Sequence, residues 1–474
     1  MHPNRWKALV LLSLAQFLVI LDTSIIGVAL PTIQEQFGFS QSGLQWIFSA
    51  YVIVFGALLL LGGRLSDILG QRKIFVIGFA ILTAASVLAG LAPDGNVLIA
   101  ARALQGIGAA FIAPAAMSIV LNIFPSPAEK GKALGIWGAS APAGGIAGVF
   151  LGGVITAYVD WSWVFLINVP IGIAVMALTW FLLPRGTKQA GRVDVAGAIS
   201  ITAALISLVY ALVTANDSGW TSIQVAAGLA SSAALFLAFG AIQKRSKSPL
   251  IPLAIFKVRN LLASNIVMAL LGAAWIPMWF FLNLYLQQVQ GYGPFESGLA
   301  LLPMTAAIML IMIGASSRII GKLGAKTSLV AGLALLSAAM VMFSATPSGS
   351  GGFFTHVLPA SLVAAGGMSL AYIPALTTAV SHAKKEESGL ASGIVNTSYQ
   401  IGSAVGLAII VAVASAPALD IDFGLTESLD GPSNDFRVGF VGAAVIAAAA
   451  AIVAFVAIKK YDAFDGTEVR VEKV

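Results

Sequence analysis

Asp22 is the acidic residue that lies deepest inside an apolar stretch of this 474-residue chain. Taken as a helix that rises 1.5 Å per residue, the stretch places Asp22 about 20 Å in from Lys7, past the middle of a bilayer. A carboxylate at that depth costs about 2.5–3.5 kcal/mol, so it should face a cavity or a polar partner. Two roles fit: reversible protonation, or a structural carboxylate bonded to neighbouring helices.

Arg102 is the basic residue that lies inside an apolar stretch. This stretch begins near Val97, which puts Arg102 about 8 Å below that edge of the membrane. Asp22, counted back from Pro31, lies about 13 Å below the same edge. The two charges are therefore at similar depth, where they either form a structural salt bridge or act together in proton coupling.

A glycine-containing turn carries Asp67 beside several basic residues. Its glycines permit a sharp reversal of the chain and close approach. Asp67 can neutralise the N-terminal end of a helix in the opposite half of the protein, and the helix that starts near Gly389 is the expected partner. The turn is thus a candidate gate, with an ordinary solvated turn as the alternative. The candidate gating residues are Gly63, Asp67, Gly70, Arg72 and Lys73.

Glycines at a spacing of four form a stripe in the fifth apolar stretch. Such a stripe lets two helix backbones touch. Tight packing alone explains it, although a helix that slides between two halves of a transporter would need the same surface. The stripe consists of Gly144, Gly148 and Gly152, with Gly153 beside it.

Aromatic and amide side chains are concentrated between positions 275 and 288. Trp and Tyr near helix ends usually form a belt at the membrane interface, which is one interpretation of Trp275 and Trp279. The other is a stacking surface for a flat or cationic ligand. The candidate substrate-binding residues are Trp275, Trp279, Phe280, Tyr285 and Gln288, with Asn396 and Tyr399 farther along the chain.

The sequence argues against several kinds of chemistry. It has no cysteine and three scattered histidines, which excludes disulfides and thiol nucleophiles and predicts no metal cluster. Gly321-Lys322 lacks the glycine spacing and the following Ser or Thr of a phosphate-binding loop. We therefore expect no catalytic residues, metal or cofactor, and either an ion gradient or downhill transport as the energy source.

The composition requires elements that cross a bilayer. The chain is 58% hydrophobic and 10% charged, with a mean hydropathy of +0.94, whereas soluble domains carry about 25% charged residues. Lipid must cover much of the surface, and the net charge of +6 is not interpreted as nucleic-acid binding. A spanning helix needs about 20 apolar residues. The predicted helices are 8–30, 44–63, 74–92, 97–121, 133–157, 163–183, 193–215, 223–242, 261–286, 298–320, 326–345, 354–378, 390–415 and 437–459.

The first predicted helix follows a basic N-terminus, as in a signal peptide, but it continues without a small-residue cleavage site. We expect it to be retained. Because cytoplasmic loops collect Lys and Arg, the N-terminus is placed inside, which leaves only Arg102 and Arg437 away from the cytoplasmic side. Both termini are then cytoplasmic. The acidic outer loop 416–436 is interpreted as a solvated loop, with a vestibule that attracts cations as the alternative.

A weak internal repeat predicts two related halves. The pattern Gly63-Arg64 to Gly70-Gln71-Arg72 recurs after the tenth helix as Ser317-Arg318 to Gly324-Ala325-Lys326. If the seventh and eighth helices are regarded as an inserted pair, the remaining helices form two groups of six. The predicted divisions of this all-α chain are an N-terminal six-helix bundle (1–185), a linker with two inserted helices (186–260) and a C-terminal six-helix bundle (261–474).

These residues resemble the signatures of the fourteen-helix drug:proton antiporters of the major facilitator superfamily. Leu21–Pro31 is similar to the family's first-helix motif, Gly63–Lys73 to its loop signature and Arg102–Ala110 to its fourth-helix motif. Trp161–Pro170 and Leu284–Gln288 are also family-like. The chain departs from the pattern at Gly27 (usually Asn), Val149 (usually Pro), Ser162 and Tyr399 (both usually Arg).

The resemblance implies two six-helix bundles with alternating access and two inserted helices. It implies export of hydrophobic, often cationic, drugs or antibiotics in exchange for protons, with Asp22 and Arg102 in coupling and Asp67 in gating. The expected setting is a bacterial inner membrane, and the expected partners are a small amphiphilic substrate, protons and lipid. We expect a monomer. A proton symporter or facilitator on the same fold is the alternative, followed by a scaffold or receptor that does not transport.

Overall fold

The computed structural model describes residues 5–124, 127–184, 194–258, 260–346, 352–380, 388–414 and 432–459. These residues contain fourteen helices that are long and apolar enough to cross a membrane, which confirms the predicted count and the all-α membrane fold. We number the helices in chain order. They are α1 (Arg5–Phe37), α2 (Gln41–Leu69), α3 (Gln71–Gly90), α4 (Gly95–Ile123), α5 (Pro127–Tyr158), α6 (Trp163–Leu182), α7 (Val195–Ser218), α8 (Ile223–Arg245), α9 (Leu261–Val289), α10 (Pro294–Ala315, continued directly by a helical segment over Ser316–Leu323), α11 (Ala325–Ser344), α12 (Phe353–Ala379), α13 (Ser388–Ala414) and α14 (Pro432–Ala457).

Several helices extend beyond their apolar segments, which is why the predicted boundaries are too short. The α1 helix runs from Arg5 to Phe37 and passes through Pro31 without ending. Polar side chains determine where other helices begin. At the start of α4, Asp94 Oδ1 accepts hydrogen bonds from the backbone N–H groups of Asn96 and Val97 at 2.8 and 3.0 Å. Such a cap satisfies amide groups that have no partner within the helix.

The helices pack in two groups of six. In the first, α1 packs on α5, α2 and α3 pack on α4, and α3 packs on α6. In the second, α9 packs on α13 and α14, and α11 packs on α12 and α14. The inserted helices α7 and α8 pack on each other, and α7 also contacts α2 and α13. The division of the chain at 185 and 260 stays a prediction.

The repeated turns have the same backbone geometry. Gly70 joins α2 to α3 with φ 98° and ψ 132°, and its N–H donates to Ser66 O at 3.0 Å. Gly324 precedes α11 with φ 81° and ψ 156°, and its N–H donates to Ile320 O at 2.8 Å. Positive φ favours glycine at both positions. The two halves therefore share a turn as well as a sequence pattern.

The two groups of helices meet along α2 with α13 and along α5 with α10. We call the end that carries the α2–α3 and α10–α11 turns the basic end, because most Lys and Arg residues lie in the connections there. At the other end, which we call the opposite end, Gly153 of α5 packs against Pro294 and Gly298 of α10. The Tyr158 and Phe295 rings also touch there, with centroids 5.7 Å apart. The halves are thus in contact at the opposite end.

Candidate functional site

Asp22 and Arg102 form an ion pair inside the first group of helices. Arg102 Nη1 lies 2.6 Å from Asp22 Oδ2. Both side chains are fully buried. Asp22 comes from the middle of α1 and Arg102 from the second turn of α4. The similar depths calculated from the sequence therefore correspond to direct contact.

Two amides complete the surroundings of the Asp22 carboxylate. Its Oδ1 accepts from Asn168 Nδ2 at 2.7 Å and from Gln105 Nε2 at 3.1 Å. Gln105 Oε1 accepts from Arg102 Nη1 at 2.8 Å, and Gln105 Nε2 also lies 2.9 Å from Ser86 Oγ. All of these side chains are buried, so the carboxylate is held entirely by protein groups rather than by bulk water.

Local sequence places the two amides. Gln105 follows Arg102 by three residues, a spacing that puts both side chains on one face of α4. Asn168 starts the second segment of α6, after a turn at Ile167. Pro170 suits that position, because proline is tolerated in the first turn of a helical segment, where no N–H is needed.

The guanidinium of Arg102 is held on other sides as well. Arg102 Nε donates to Ile47 O of α2 at 3.0 Å. The guanidinium carbon lies 4.5 Å from the centroid of the Tyr51 ring and 5.9 Å from that of Phe165. A cation over a buried ring is attracted by its electron-rich face. The network therefore joins five helices: α1, α2, α3, α4 and α6.

This arrangement suits a proton-dependent exchange of partners. Protonation of Asp22 would remove the charge that attracts Arg102, while Ile47 O, Gln105 and the Tyr51 ring would still hold the cation. Arg102 Nη2 and the Tyr51 hydroxyl have no hydrogen-bond partner among the described residues. The cation thus has unused hydrogen-bonding capacity when its partner changes charge.

Sequence reasoning identified the two charges but not the polar groups around them. Gln105, Asn168, Ser86 and Ile47 were not among the candidate residues. A signal existed for two of them, since Gln105 and Asn168 lie within the family-like segments Arg102–Ala110 and Trp161–Pro170.

The Asp67 turn lies at the basic end, where α2 ends. A β-carbon at Gly63 would lie 3.7 Å from Pro114 of α4, so this position is not tightly packed. Asp67 is half-buried and has no hydrogen bond or ion pair to any residue that the structure describes. Its contact with the start of α13 stays a prediction.

Arg72 of the same turn binds the end of α6. Its Nη2 donates to Trp180 O at 2.9 Å and its Nη1 to Leu183 O at 3.2 Å. The guanidinium also lies 4.6 Å from the Trp180 ring centroid. Arg72 thus satisfies carbonyl groups at a helix C-terminus within its own half. Lys73 is exposed.

The glycine stripe of α5 serves two contacts. Gly144, Gly148 and Gly152 face α1; a β-carbon at Gly148 would lie 2.8 Å from Ser24 Cβ, and one at Gly152 would lie 2.7 Å from Ile25 O. Gly153 instead faces α10, where a β-carbon would lie 2.9 Å from Pro294 O. The stripe therefore packs α5 within its half and across to the other half.

We expect Gly148→Ala to lower the thermal unfolding temperature in detergent, because the added methyl group forces α5 from α1 at a cost of about 1–3 kcal/mol. Gly145→Ala is the matched control. The nearest atom to a β-carbon there is Ser24 Oγ at 3.9 Å, so this change should be neutral or slightly stabilising. Equal unfolding temperatures for the two variants would contradict the packing argument.

Trp275 and Trp279 lie one turn apart in the middle of α9. They are 9% and 7% exposed, and their rings stack with centroids 6.3 Å apart. An interfacial belt lies at helix ends, so the structure does not place these two residues in one. Phe280 packs against Phe48 of α2, with ring centroids 6.2 Å apart. Their role in ligand binding stays a prediction.

The end of α9 reaches across to α1. A π-helical turn covers Tyr285–Val289. Gln287 Nε2 donates to Val28 O at 2.9 Å, and Gln288 Nε2 donates to Gln34 Oε1 at 3.0 Å. These two bonds, which we call the amide latch, join the halves at the opposite end. In this conformation Gln288, a candidate substrate-binding residue, therefore contacts the other half.

Three further candidates differ in their surroundings. The Tyr285 hydroxyl accepts from Gln290 Nε2 at 2.6 Å, and its ring packs on α14. Asn396 Oδ1 accepts from the Tyr372 hydroxyl at 3.1 Å, and the Tyr372 and Tyr399 rings meet edge to face at 5.7 Å. The structure thus brings Asn396 and Tyr399 together with Tyr372 of α12, a residue that sequence reasoning did not select.

The described residues contain no group of three or more side chains suited to holding a metal ion. What these residues do contain is the buried ion pair of Asp22 and Arg102.

Comparison with known proteins identifies the family. Residues 12–407 match the model of the Major Facilitator Superfamily. The chain is 34% identical over 463 residues to the puromycin resistance protein pur8 of Streptomyces alboniger, covering 96% of this chain and 92% of that protein. It is 36% identical over 450 residues to the cephamycin export protein CmcT of Amycolatopsis lactamdurans, covering 94% and 91%.

Solved structures show the same fold. The crystal structure of an auto-inhibited POT family peptide transporter superimposes with a TM-score of 0.69 at 16% identity, covering 95% of this chain and 96% of that one. The fold, the family model and relatives that span nearly the whole chain agree, and this protein belongs to the major facilitator superfamily.

Proposed function

We propose that this protein exports an amphiphilic, cationic class of drug or antibiotic across a bacterial plasma membrane in exchange for protons. The observation that carries the proposal is the buried Asp22–Arg102 pair, a titratable carboxylate enclosed with its counter-ion in the membrane-spanning part. Intramembrane ionisable groups that pair with each other mark proton relays and ion pathways in transporters. Relatives named for puromycin resistance and cephamycin export support a drug-like substrate.

The basic end is proposed to face the cytoplasm, with both termini on that side. The concentration of Lys and Arg in the connections at that end supports this orientation. The contacts between the halves at the opposite end then correspond to a closed outer gate. Alternating access would proceed by rocking of one half against the other, in a monomer.

Substrate is proposed to bind between the halves, against the second group of helices. Trp275 and Trp279 are covered by protein in this conformation, and their stacked rings would become available to substrate as the halves rock apart. Asn396, Tyr399 and Tyr372 would add hydrogen-bonding groups and further rings. Flat aromatic surfaces suit a cationic or planar substrate.

The direction of proton movement tests the function. Purified protein is reconstituted in vesicles with a pH dye inside, and puromycin or a cephamycin is added outside. Exchange should make the lumen more alkaline as the compound enters, relative to protein-free vesicles. Acidification would instead indicate symport, and uptake without a pH change would indicate a facilitator. Absence of uptake and of any pH change across the panel would contradict drug transport.

We expect Asp67→Asn to increase the fraction of molecules that are open at the basic end. The proposed attraction between Asp67 and the N-terminus of α13 closes that end, and the neutral amide would weaken it. Distances between spin labels at the basic ends of α2 and α13 measure this fraction. Unchanged distance distributions would remove the gating role.

Gln287→Met should shift the same equilibrium in the other direction. The substitution removes the bond from Gln287 to Val28 O that helps to close the opposite end. Label distances between the opposite ends of α1 and α9 should lengthen in part of the population. Gln290→Met is the matched control, because Gln290 bonds to Tyr285 within its own half. Identical behaviour of the two variants would contradict a role of the amide latch.

A further inference from the structure

A cavity of about 340 Å³ lies at the basic end of the inserted helices, apart from the Asp22–Arg102 network. It is lined by Asp194, Ala241, Ile242, Arg245 and Ser246. Asp194 immediately precedes α7, whereas the other four residues form the last turn of α8 and the position after it. The cavity therefore lies where the two inserted helices meet the membrane surface.

One wall of the cavity carries a fixed negative charge. Asp194 is 7% exposed; its Oδ1 accepts from Gly197 N at 2.8 Å and its Oδ2 from Gln243 Nε2 at 2.7 Å. Gln243 Oε1 in turn accepts from Ile251 N at 3.0 Å. These bonds hold the carboxylate in place and tie the start of α7 to the end of α8.

The other wall carries a positive charge that does not neutralise the first. Arg245 is exposed, and the structure shows no ion pair between it and Asp194, although both line the same cavity. Opposite charges that face one space without pairing suit a ligand that carries both charges. A singly charged anion would be attracted by Arg245 but repelled by Asp194.

An apolar path leads from the bilayer to the cavity. Leu237, Ala241 and Arg245 follow one another at a spacing of four, which places them on one face of α8. Leu237 is 77% exposed and Ala241 is also exposed, in a helix that is otherwise long and apolar enough to span the membrane. An acyl chain can lie along this face while its headgroup reaches the cavity.

We propose that this cavity binds the headgroup of a zwitterionic aminophospholipid from the leaflet at the basic end. The phosphate is held by Arg245, the ammonium group by Asp194, and an acyl chain lies along Leu237 and Ala241. Basic pockets between membrane helices bind lipid headgroups, and the carboxylate of Asp194 adds a preference for a lipid that carries an amine. The proposal is independent of the transported compound.

Native mass spectrometry of the purified protein tests the site, with phosphatidylethanolamine and phosphatidylglycerol of identical acyl chains as probes. The wild-type protein should retain more phosphatidylethanolamine. Arg245→Gln should lower that retention about fivefold, the effect of losing one interfacial cation. Lys244→Gln is the matched control: this exposed neighbour does not line the cavity, and its loss should change retention little.

Asp194→Asn should abolish the preference between the two lipids without abolishing binding, since Asn also caps helices. Asp194→Ser provides a second uncharged cap, and thermal unfolding verifies that each variant is folded. Equal retention of both lipids by the wild-type protein would overturn the proposal, as would equal losses in Arg245→Gln and Lys244→Gln. Competition by soluble glycerophosphoethanolamine at the same concentration as the lipid would show that a free phosphate ester, and not a lipid, is the ligand.

Discussion

Asp22→Asn is expected to abolish uphill export while leaving downhill exchange or substrate binding in place. Asn cannot take up and release a proton, but it has nearly the same shape and can still accept from Asn168 and Gln105. For a neutral substrate, each proton that enters down a 100 mV potential supplies about 2.3 kcal/mol, which sustains a concentration gradient of roughly 50-fold; for a monovalent cation, a pH gradient of about 1.7 units supplies the same free energy. The variant should lose this whole factor and reach equal concentrations on the two sides.

Reconstituted vesicles in which the pH gradient and the voltage are imposed separately measure the effect. If one proton exchanges for one monovalent cationic substrate, no net charge moves, so wild-type accumulation should follow the pH gradient and ignore the voltage. Asp160→Asn is the matched control, because Asp160 is an exposed carboxylate that bonds locally to Ser162. Full uphill accumulation by Asp22→Asn would move the search for the proton carrier to other titratable groups.

The helical rise alone was enough to place the two central charges. Asp22 and Arg102 lie on separate helices, and their calculated depths differed by only a few ångströms, so the sequence allowed the two charges to pair. Whether they do pair depends on how α1 and α4 are rotated about their axes, which the sequence does not show. The side chains of Gln105 and Asn168 reach Asp22 because five helices converge there, and no local sequence pattern encodes that convergence.

Arg72 and the two tryptophans, Trp275 and Trp279, also have surroundings that the sequence could not predict. The basic turn made Arg72 a candidate gating residue, and that role stays a prediction; its bonds to carbonyl groups at the end of α6 were not foreseen from the sequence. Hydropathy predicted that α9 is an apolar spanning helix. It could not show that Trp275 and Trp279 lie on a face of this helix that is covered by protein. Local patterns thus predict helix number and charge depth, while partners across helices depend on packing.

The second large expected effect is on thermal stability, because the charges of Asp22 and Arg102 are buried. Arg102→Met leaves the Asp22 carboxylate buried without its counter-ion, and breaking a buried pair in this way costs about 3–5 kcal/mol. Asp22→Asn leaves the Arg102 cation in the same position. The double variant carries neither charge, and replacing both members of a buried pair by neutral groups is often close to neutral. We therefore expect the double variant to unfold at a higher temperature than either single variant.

Thermal unfolding of the four proteins in one detergent completes a double-mutant cycle, which isolates the interaction between the two side chains. The Arg5–Glu129 pair provides the matched control: its atoms approach to 2.7 Å, but its side chains are 19% and 29% exposed. Because partly exposed pairs contribute about 0–1 kcal/mol, Arg5→Met and Glu129→Gln should show a much smaller coupling. Additive losses in the Asp22–Arg102 cycle would mean that each charge is stabilised by other groups of the network, with Ile47 O and the Tyr51 ring holding Arg102 without help from the carboxylate.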